Sequence, residues 1–345
     1  MRLLICLLVL ISTSNYGQKS KTYKVRTIAF YNVENLFDIE NDSLTFDDER
    51  TPEGSYHWTQ ERYDKKIENI SHVLSNIGEG TSKTSPDIIG LCEVENRKVL
   101  EDLINHPNLQ LKGYGIVHFD SPDARGIDVA LIYKKSAFLP SSFNSHRLLL
   151  FDELGERTYT RDQLVVGGVL DHEEFYFIVN HWPSRRGGAS KSNPKRVRAA
   201  LLNKRIIDSI QGLNPYAKII SMGDLNDDPR DDSLKKILKT KGKPTRLDSI
   251  SLFNPMERLY KKGVGSLAYR DKWNLFDQFF MTSEVVGEDK SNYVYWKSSI
   301  YSPSYIRTTE GKYKGYPLRT YSGGVYTGGY SDHFPIYLFL IKEVE

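Results

Sequence analysis

Runs of β-branched and aromatic residues recur along the chain, and their spacing limits the possible folds. Eight runs have the length and composition of strands: KVRTIAFY (24–31), DIIGLC (87–92), IDVALIY (127–133), QLVVGGVL (163–170), FYFIVN (175–180), AKIISMG (217–223), FDQFFM (276–281) and PIYLFLI (335–341). Only a short polar turn separates the runs at 163–170 and 175–180, which predicts an antiparallel hairpin. Since parallel strands need a longer crossover, the spacing favours two stacked mixed sheets over one doubly wound parallel sheet.

Three segments between these runs have helical periodicity. Their apolar residues recur at intervals that place them on one helix face: Tyr63, Ile67, Ile70, Val73, Leu74 and Ile77 in the first; Val99, Leu100, Leu103 and Ile104 in the second; Val197, Leu201, Ile207 and Ile210 in the third. The third helix is expected to begin at Asn193-Pro194, a capping residue followed by proline. The predicted class is therefore α/β (α+β), with helices outside two mixed sheets. No internal repeat or long linker divides the chain, so residues 24–345 are expected to form one domain.

The first residues, MRLLICLLVLISTSNYGQKS, have one arginine, a short apolar run and then small and polar residues. This pattern is typical of a secretory signal peptide, with cleavage expected near Gly17. The apolar run is too short to span a bilayer, which disfavours the alternative of a retained anchor. We therefore expect residues 1–17 to be a signal peptide, the protein to be secreted or periplasmic, and the mature chain to have no transmembrane segment.

Net charge gives no sign of a strongly anionic partner. The chain has 47 basic and 44 acidic residues, so its formal charge is only +3. The field of the whole molecule therefore indicates neither nucleic acid nor an acidic membrane. Any preference for an anion must come from local groups.

Polar residues lie at one end of five predicted strands. They are Asn32 and Asn35, Glu93, Asn180 and His181, Asp224 and Asn226, and Asp332 and His333. One such residue would ordinarily be a turn or capping residue. If the five strands share a sheet edge, however, the five sets converge on one cleft, where rigid elements can hold catalytic side chains.

The chemical types of these residues fit a phosphoester-cleaving site. A lone Glu93 among amides suits Mg²⁺, which keeps several waters and takes few protein carboxylates. Two histidines with few other soft ligands argue against a closed zinc site. Asp224 and Asn226 are two residues apart and can reach a common water or phosphate oxygen. The set indicates metal-assisted attack of water on phosphorus, with imidazoles moving protons.

Five motifs carry a resemblance to a known family. In order they are FYNVENLFD, GLCEVEN, NHWPSRRGG, GDLNDDP and YSDHFP. This set resembles the endonuclease/exonuclease/phosphatase superfamily, the deoxyribonuclease I-like Mg²⁺-dependent phosphoesterases that include abasic-site endonucleases, inositol phosphatases and bacterial sphingomyelinases. The match runs from about residue 26 to 341. It implies a four-layer α/β/β/α sandwich with the site at one sheet edge.

The resemblance implies a metal site around Glu93. Glu93 would hold the ion, Asn32 would be a ligand or an amide beside it, and Asp332 would lie near it. The implied ion is Mg²⁺, with Mn²⁺ or Ca²⁺ as alternatives.

Catalytic roles follow from the same resemblance. His181 would donate a proton or contact the phosphate, and Asn226 would bind the scissile phosphate. His333 would be the second imidazole, and Asp277 in NLFDQFF would hydrogen-bond it and fix its tautomer. Asp224 would orient or deprotonate the water. The choice of base between Asp224 and His333 stays open.

Several residues and segments outside this set are further candidates for contact with the phosphate or for a purely structural role. Arg161 in YTRDQLVV is implied to be a phosphate clamp. Arg185 and Arg186 lie in a basic run that either contacts phosphate or is a solvated face. Asp128 is either a site residue or a strand-end group. The acidic segment 38–54 lacks a regular ligand spacing and is expected to be a solvated loop rather than a Ca²⁺ site. The glycines of YSGGVYTGGYSDH (321–333) are expected to let the backbone approach a bound phosphate.

Together these features predict an exported Mg²⁺-dependent phosphoesterase that hydrolyses phosphodiester bonds and is endonuclease-like, with nucleic acid as substrate. The alternative enzyme is a phosphatase or a phospholipase-type phosphodiesterase acting on inositol or lipid phosphates. An alternative of another class is a catalytically inactive binding module on the same fold. Such a module would be expected to lack one of Glu93, Asp224, His181 or His333, and all four are present.

Overall fold

The computed structural model describes residues 21–248 and 250–344. Its strands are β1 (Thr22–Leu36), β2 (Ile88–Val94), β3 (Tyr114–His118), β4 (Asp128–Lys134), β5 (Phe138–His146), β6 (Leu150–Phe151), β7 (Arg157–Thr158), β8 (Gln163–Leu170), β9 (Glu173–His181), β10 (Lys218–Asp224), β11 (Leu267–Tyr269), β12 (Lys272–Asn274), β13 (Asp277–Met281), β14 (Val294–Ile300), β15 (Tyr321–Ser322), β16 (Val325–Tyr326) and β17 (Ile336–Val344). Its α-helices are α1 (Gln60–Asn76), α2 (Glu79–Ser82), α3 (Arg97–Asn105), α4 (Ala189–Leu213) and α5 (Met256–Tyr260). The signal peptide expected at residues 1–17 lies outside the described residues.

Two mixed sheets form the centre of the molecule. One has the order β14-β17-β1-β2-β4-β3 and the other β13-β10-β9-β8-β5. Each contains one parallel pair, β1 with β2 and β9 with β10, and its other neighbours are antiparallel. Strands β8 and β9 form the predicted hairpin, whose turn residues Asp171 and His172 have φ of 44° and 74°.

Apolar residues divide into three cores that separate four layers. The core between the sheets includes Phe30 and Leu131 from one sheet and Phe177 and Ile220 from the other. Helices α1 and α3 pack on the outer face of the six-stranded sheet, and α4 packs on the outer face of the five-stranded sheet. Because each sheet is apolar on both faces, each needs a helical cover as well as its partner sheet. The predicted α/β/β/α sandwich is confirmed.

The directions of the strands place polar residues at one edge of the two sheets. Strands β1, β2, β9 and β10 end at this edge, whereas β13 and β17 begin there. Asp224, the last residue of β10, lies opposite His181 on one side and Asp277 on the other. The edge therefore receives polar residues from both sheets.

Helix α4 begins earlier than the capping signal predicts. It starts at Ala189, so Pro194 lies inside it rather than at its first position. The buried Arg196 side chain stabilises the additional turn by donating to the Ala189 carbonyl at 3.0 Å and to Ser192 Oγ at 2.7 Å. The hydrogen bonds of Arg196, rather than the capping signal at Asn193-Pro194, thus determine where the helix begins. Among the described residues, no helix combines the length and apolarity needed to cross a membrane.

Candidate active site

Six polar side chains meet where the ends of the two sheets face each other. They are Asn32, Glu93, His181, Asp224, Asp277 and His333, and we call them the edge cluster. Asn32 Nδ2 donates to Glu93 Oε1 and to Asp224 Oδ2, both at 3.2 Å. His181 Nε2 lies 3.7 Å from each of the same two carboxylate oxygens. The Asn32 amide comes from the six-stranded sheet and the His181 imidazole from the five-stranded sheet. Each of them lies close to one carboxylate of its own sheet and one of the other sheet.

A backbone irregularity aims Glu93 into this gap. Glu93 has φ of 61°, and the pairing of β2 with both neighbours shifts register beside it. Such a bulge turns a side chain away from the regular alternation of a strand. On the neighbouring strand β1, Glu34 and Asn35 have φ of 51° and 54°. This backbone conformation allows Asn35 N to donate to Glu93 Oε2 at 3.0 Å. The carboxylate is thus held by backbone as well as by Asn32.

His333 is held by a buried carboxylate. Its Nδ1 lies 2.7 Å from Asp277 Oδ2, and its Nε2 lies 3.9 Å from Asp224 Oδ2. Burial alone would lower the pKa of His333, but Asp277, Asp224 and Asp332 raise it well above the ordinary value. These carboxylates favour the protonated form of His333, whose Nε2 faces Asp224.

His181 is held in the opposite state. Burial, assisted by the positive charges of Arg161, Arg125 and His333, lowers its pKa well below the ordinary value. Its buried Nδ1 has no hydrogen-bond partner among residues 21–248 and 250–344. The surroundings of the two imidazoles thus shift their pKa values in opposite directions.

The Asp224 carboxyl group has a raised pKa. Burial and the charges of Asp277 and Glu93 raise its pKa to about 7, against the opposing effects of His333 and the Asn226 N–H. That N–H donates to Asp224 Oδ1 at 2.9 Å, so Oδ2 is the oxygen that faces the cluster. Asn226 has φ of 51°, and its side chain donates to the Trp182 carbonyl at 3.0 Å.

The arginines predicted to contact phosphate have protein partners. Arg161 is buried and donates to Asp123 Oδ2 at 2.9 Å and to the Trp182 carbonyl at 2.7 Å. Arg185 donates to the Asn226 carbonyl at 2.8 Å and to Asp231 at 2.6 Å. Both side chains brace the loops that carry His181 and Asn226.

The basic run is not a single solvated face. Arg186 is exposed, whereas Arg196 is fully buried and donates to Asp227 at 2.5 Å. The sequence alone did not reveal this split, because it depends on acidic residues that follow β10 and fold back beneath the run.

Asp332 lies at the rim of the cluster. Arg319 donates to its Oδ2 at 2.5 Å, and its Oδ1 lies 4.0 Å from His333 Nε2. Arg319 also pairs with Glu34 at 3.3 Å. Sequence reasoning missed Arg319 because nothing in the surrounding PLRTYS marks it as a neighbour of the YSDH motif.

Ser331 is a second residue that sequence reasoning missed. Its hydroxyl donates to the Asn32 carbonyl at 2.7 Å and accepts from His333 N at 3.0 Å. It thereby joins the end of β1 to the start of the β17 segment. In the sequence, its position between the glycine-rich loop and Asp332-His333 was the feature that could have indicated a role at the site.

A second group containing His118, Asp120 and Asp128 lies beyond β2. Asp128 accepts hydrogen bonds from Ser121 and lies 3.0 Å from His118 Nε2. One ligand atom from each of the three residues lies within 4.8 Å of the others. Asp128 is thus a buried group at the start of β4, hydrogen-bonded on both of its oxygens.

The edge cluster fits a divalent cation. Glu93 Oε1 and Asp224 Oδ2 both lie near His181 Nε2, and the carboxylates of Asp277 and Asp332 lie on either side of the neighbouring His333. His333 and Arg319 supply the compensating positive charge. Hard oxygen donors with an excess of negative charge are the environment that Mg²⁺ and similar ions prefer.

Comparison with solved structures supports the fold. TDP2 from Caenorhabditis elegans in truncated form is 16% identical, with a TM-score of 0.56 over 92% of this chain and 97% of that one. D. rerio TDP2 complexed with a single strand DNA product is 14% identical, with a TM-score of 0.52 over 92% and 98%. A mannosyl-6-phosphatase from Bacteroides thetaiotaomicron is 16% identical, with a TM-score of 0.52 over 93% and 100%. At these identities the likeness concerns the fold alone.

Comparison of the sequence gives the family. A search of curated proteins found no significant match. The model of the Endonuclease/Exonuclease/phosphatase family, however, matches residues 27–342, which covers both sheets and every residue of the edge cluster. Enzymes of this family are phosphoester hydrolases that typically use divalent metals. The chain therefore belongs to the endonuclease/exonuclease/phosphatase family and is a phosphoester hydrolase.

Proposed function

We propose that this protein is an Mg²⁺-dependent phosphodiesterase that cleaves nucleic acid by attack of water on the scissile phosphate. One observation carries the proposal, namely that Glu93 Oε1 and Asp224 Oδ2, from different sheets, each lie 3.7 Å from His181 Nε2. Carboxylates and imidazoles at this spacing can hold a cation, a water and a phosphoryl oxygen together.

Glu93 is the principal ligand in this proposal, with Asp332 nearby. Asn32 donates to both Glu93 and Asp224, so it orients the carboxylates from beside the ion. When bound, the ion polarises the phosphoryl oxygen and offsets negative charge in the transition state.

Asp224 is the proposed base. The Asn226 N–H occupies its Oδ1, which leaves Oδ2 to accept a proton from the attacking water. Because the carboxylates around His333 raise its pKa, we assign its Nε2–H the role of a donor rather than of a second base. Asp277 on its Nδ1 fixes this orientation.

His181 completes the set as a neutral donor. Its Nε2 faces the gap, and a neutral N–H there can hydrogen-bond a phosphoryl oxygen whose negative charge grows during attack. Burial, followed by the charges of Arg161 and Arg125, lowers the pKa of His181 and favours its neutral form.

A substrate panel tests the proposal. The mature protein is incubated with single- and double-stranded DNA, RNA, an aryl phosphodiester, inositol phosphates, sphingomyelin and mannose 6-phosphate, each with Mg²⁺ and with excess chelator. We expect cleavage of nucleic acid and of the aryl phosphodiester with Mg²⁺ only. Turnover confined to phosphomonoesters or lipids would contradict the proposed substrate, and turnover in chelator would contradict the mechanism.

Export is a further part of the proposal, supported by the N-terminal sequence. Expression of the full chain in a bacterial host should yield a periplasmic protein whose N-terminus, measured by mass spectrometry, lies near Gln18. Recovery of the full-length chain in the cytoplasm would contradict it.

A further inference from the structure

A surface of aromatic and basic residues adjoins His333. It is formed by the β11–β12 hairpin and the loop that precedes β15. We call it the aromatic-basic surface, and its members are Tyr269, Arg270, Lys272, Trp273, Lys312, Tyr313, Lys314 and Tyr316. None of them has a part in the chemistry proposed above.

A row of rings connects this surface to Phe334, the residue that follows His333 in the chain. Phe334, which follows His333, stacks on Trp273 with centroids 6.1 Å apart and an interplanar angle of 18°. Tyr316 lies 5.5 Å from Trp273, and Tyr313 lies 5.7 Å from Tyr316. The row therefore leads from the buried Phe334 ring, beside the backbone of His333, outward to the exposed Tyr313.

Packing does not account for the outer members of this surface. Trp273 and Phe334 pack on each other and on the sheet, as core residues do. Tyr313, in contrast, is 48% exposed and Tyr269 is 61% exposed. Large aromatic side chains left open beside an active site are typical of a binding surface rather than of a core.

The charge around these rings is locally positive. Residues 269–273 and 307–316 contain five basic residues and two acidic ones, whereas the whole chain is nearly balanced. Of the two acidic residues, Asp271 accepts a hydrogen bond from Tyr316 at 2.9 Å. The Arg270 guanidinium lies 5.2 Å from the Tyr269 ring, and Lys312 Nζ lies 5.7 Å from the Tyr313 ring. Open rings and cations thus alternate along the surface.

We infer that the aromatic-basic surface binds the single-stranded segment of nucleic acid that adjoins the scissile phosphate. Unpaired bases stack on open aromatic rings whatever their sequence, and lysines and arginines track the backbone phosphates. Bases in a duplex are already stacked on each other and cannot use Tyr269 or Tyr313. The inference rests on the proposed function, since it names the form of nucleic acid that the same site takes.

Binding without cleavage tests the stacking contact. A fluorescent twelve-nucleotide oligothymidylate is titrated with the protein in excess chelator, and its anisotropy is measured. Tyr313→Ala should weaken binding by about 5- to 150-fold, the effect of losing one stacked base. The matched control is Tyr216→Ala, an 81% exposed tyrosine at the opposite end of β10, which should bind as the wild type does. Thermal melts of both variants show whether they are folded.

Salt dependence tests the lysines separately. Lys312→Ala/Lys314→Ala should reduce the slope of log affinity against log salt by about 1.4, as expected for two lost contacts to a single strand. The control is Lys112→Ala/Lys135→Ala, two exposed lysines at the opposite sheet edge, for which the slope should not change.

Several results would overturn the inference. These are equal affinity of the Tyr313→Ala and Tyr216→Ala proteins, equal salt slopes of the two lysine variants, or equal affinity of the wild type for single- and double-stranded oligonucleotide. A phosphorylated oligosaccharide that binds through Tyr313 while the oligonucleotide does not would also overturn it. Failure of the proposed function is distinguishable, because it appears as absence of aryl phosphodiester turnover with Mg²⁺, whereas oligonucleotide binding is measured without turnover.

Discussion

His181 and His333 lie in one cluster, but their surroundings shift their pKa values in opposite directions. Burial acts on both, yet His333 has Asp277 at 2.7 Å whereas His181 has arginines nearby. Groups whose surroundings push their pKa values apart are suited to different roles in one reaction. We therefore assign proton donation to His333 and a neutral hydrogen bond to His181.

The pair formed by His333 and Asp277 gives a first prediction. His333→Ala should lower kcat by about 10²- to 10⁴-fold, the usual contribution of general acid–base catalysis. Asp277→Asn should lower kcat as well, because the imidazole loses the partner that fixes its charge and tautomer. Steady-state kinetics with an aryl phosphodiester measures both effects.

The double variant shows whether the two residues act together. His333→Ala/Asp277→Asn should fall no further than His333→Ala alone, because residues that act as a unit are not additive. Additive losses would contradict the pairing. A folded His333→Ala protein with near-native kcat would contradict the role of His333 itself.

Sequence could place some residues of the cluster and not others. Asp224, His181 and His333 are recognisable because they follow or precede apolar runs, where a strand must end. The partners of Arg185 and Arg161 were not predictable in the same way, since Asp231 and Asp123 lie in loops whose paths depend on the whole fold. Whether an arginine faces substrate or protein is decided by such neighbours.

At the scale of elements, the β8–β9 turn joins the two sheets. Asp171 in this turn accepts hydrogen bonds from Arg26 at 2.6 Å and Lys24 at 2.8 Å, both in β1 of the other sheet. Tyr293 adds a third bond at 2.7 Å. Burial alone would raise the pKa of Asp171, but these partners lower it below the ordinary value. The turn is thus an ionic clamp between the layers.

The clamp gives a prediction with a defined pH dependence. Asp171→Asn should lower the free energy of unfolding by about 1.5–3 kcal/mol at neutral pH, the range for hydrogen bonds to a charged group. Because the folded pKa lies below the unfolded value of about 4, the carboxylate stabilises the fold fully above that pH. The difference between wild type and variant should therefore shrink as the pH falls below about 4. Urea unfolding at several pH values measures it.

The control for the clamp is a surface pair. Asp208 pairs with Lys204 at 2.7 Å on the exposed side of α4. Asp208→Asn should change the free energy of unfolding by less than about 0.5 kcal/mol, as is usual for exposed pairs. An Asp171→Asn effect as small as this one, or one that grows in acid, would contradict the clamp.

The glycine-rich loop (321–333) makes close contacts with other parts of the protein. The glycines of residues 321–333 were expected to admit a phosphate. In the structure a Cβ on Gly329 would lie 2.2 Å from the Arg319 carbonyl, so this glycine is needed for the loop to pack on itself. Lys66 and Asn69 of α1 bind the backbone of Tyr330 and Gly329, which anchors the segment that leads to His333. The glycines predicted a close approach of the backbone to another group, but the sequence did not show that at Gly329 this group is the Arg319 carbonyl.

At the scale of the whole molecule, the two-sheet architecture followed from one hairpin and the spacing of the strands. The order of strands did not follow, because neighbours such as β1 and β17 are separated by nearly the entire chain. Strands such as β5 were not predicted either, since this edge strand is largely exposed and rich in serine. Net charge was equally uninformative, because a formal charge of +3 averages the acidic edge cluster with the basic surface beside it.

The central claim is that the edge cluster hydrolyses phosphodiesters with a divalent cation held by Glu93. The most direct test is a titration of aryl phosphodiester turnover with Mg²⁺ for the wild type, Glu93→Gln and the control Glu101→Gln, an exposed residue of α3. We expect no turnover in excess chelator, recovery on adding Mg²⁺, and a half-maximal Mg²⁺ concentration at least about 10-fold higher for Glu93→Gln only. Full turnover of the wild type in excess chelator, or the same Mg²⁺ dependence for all three proteins, would contradict it.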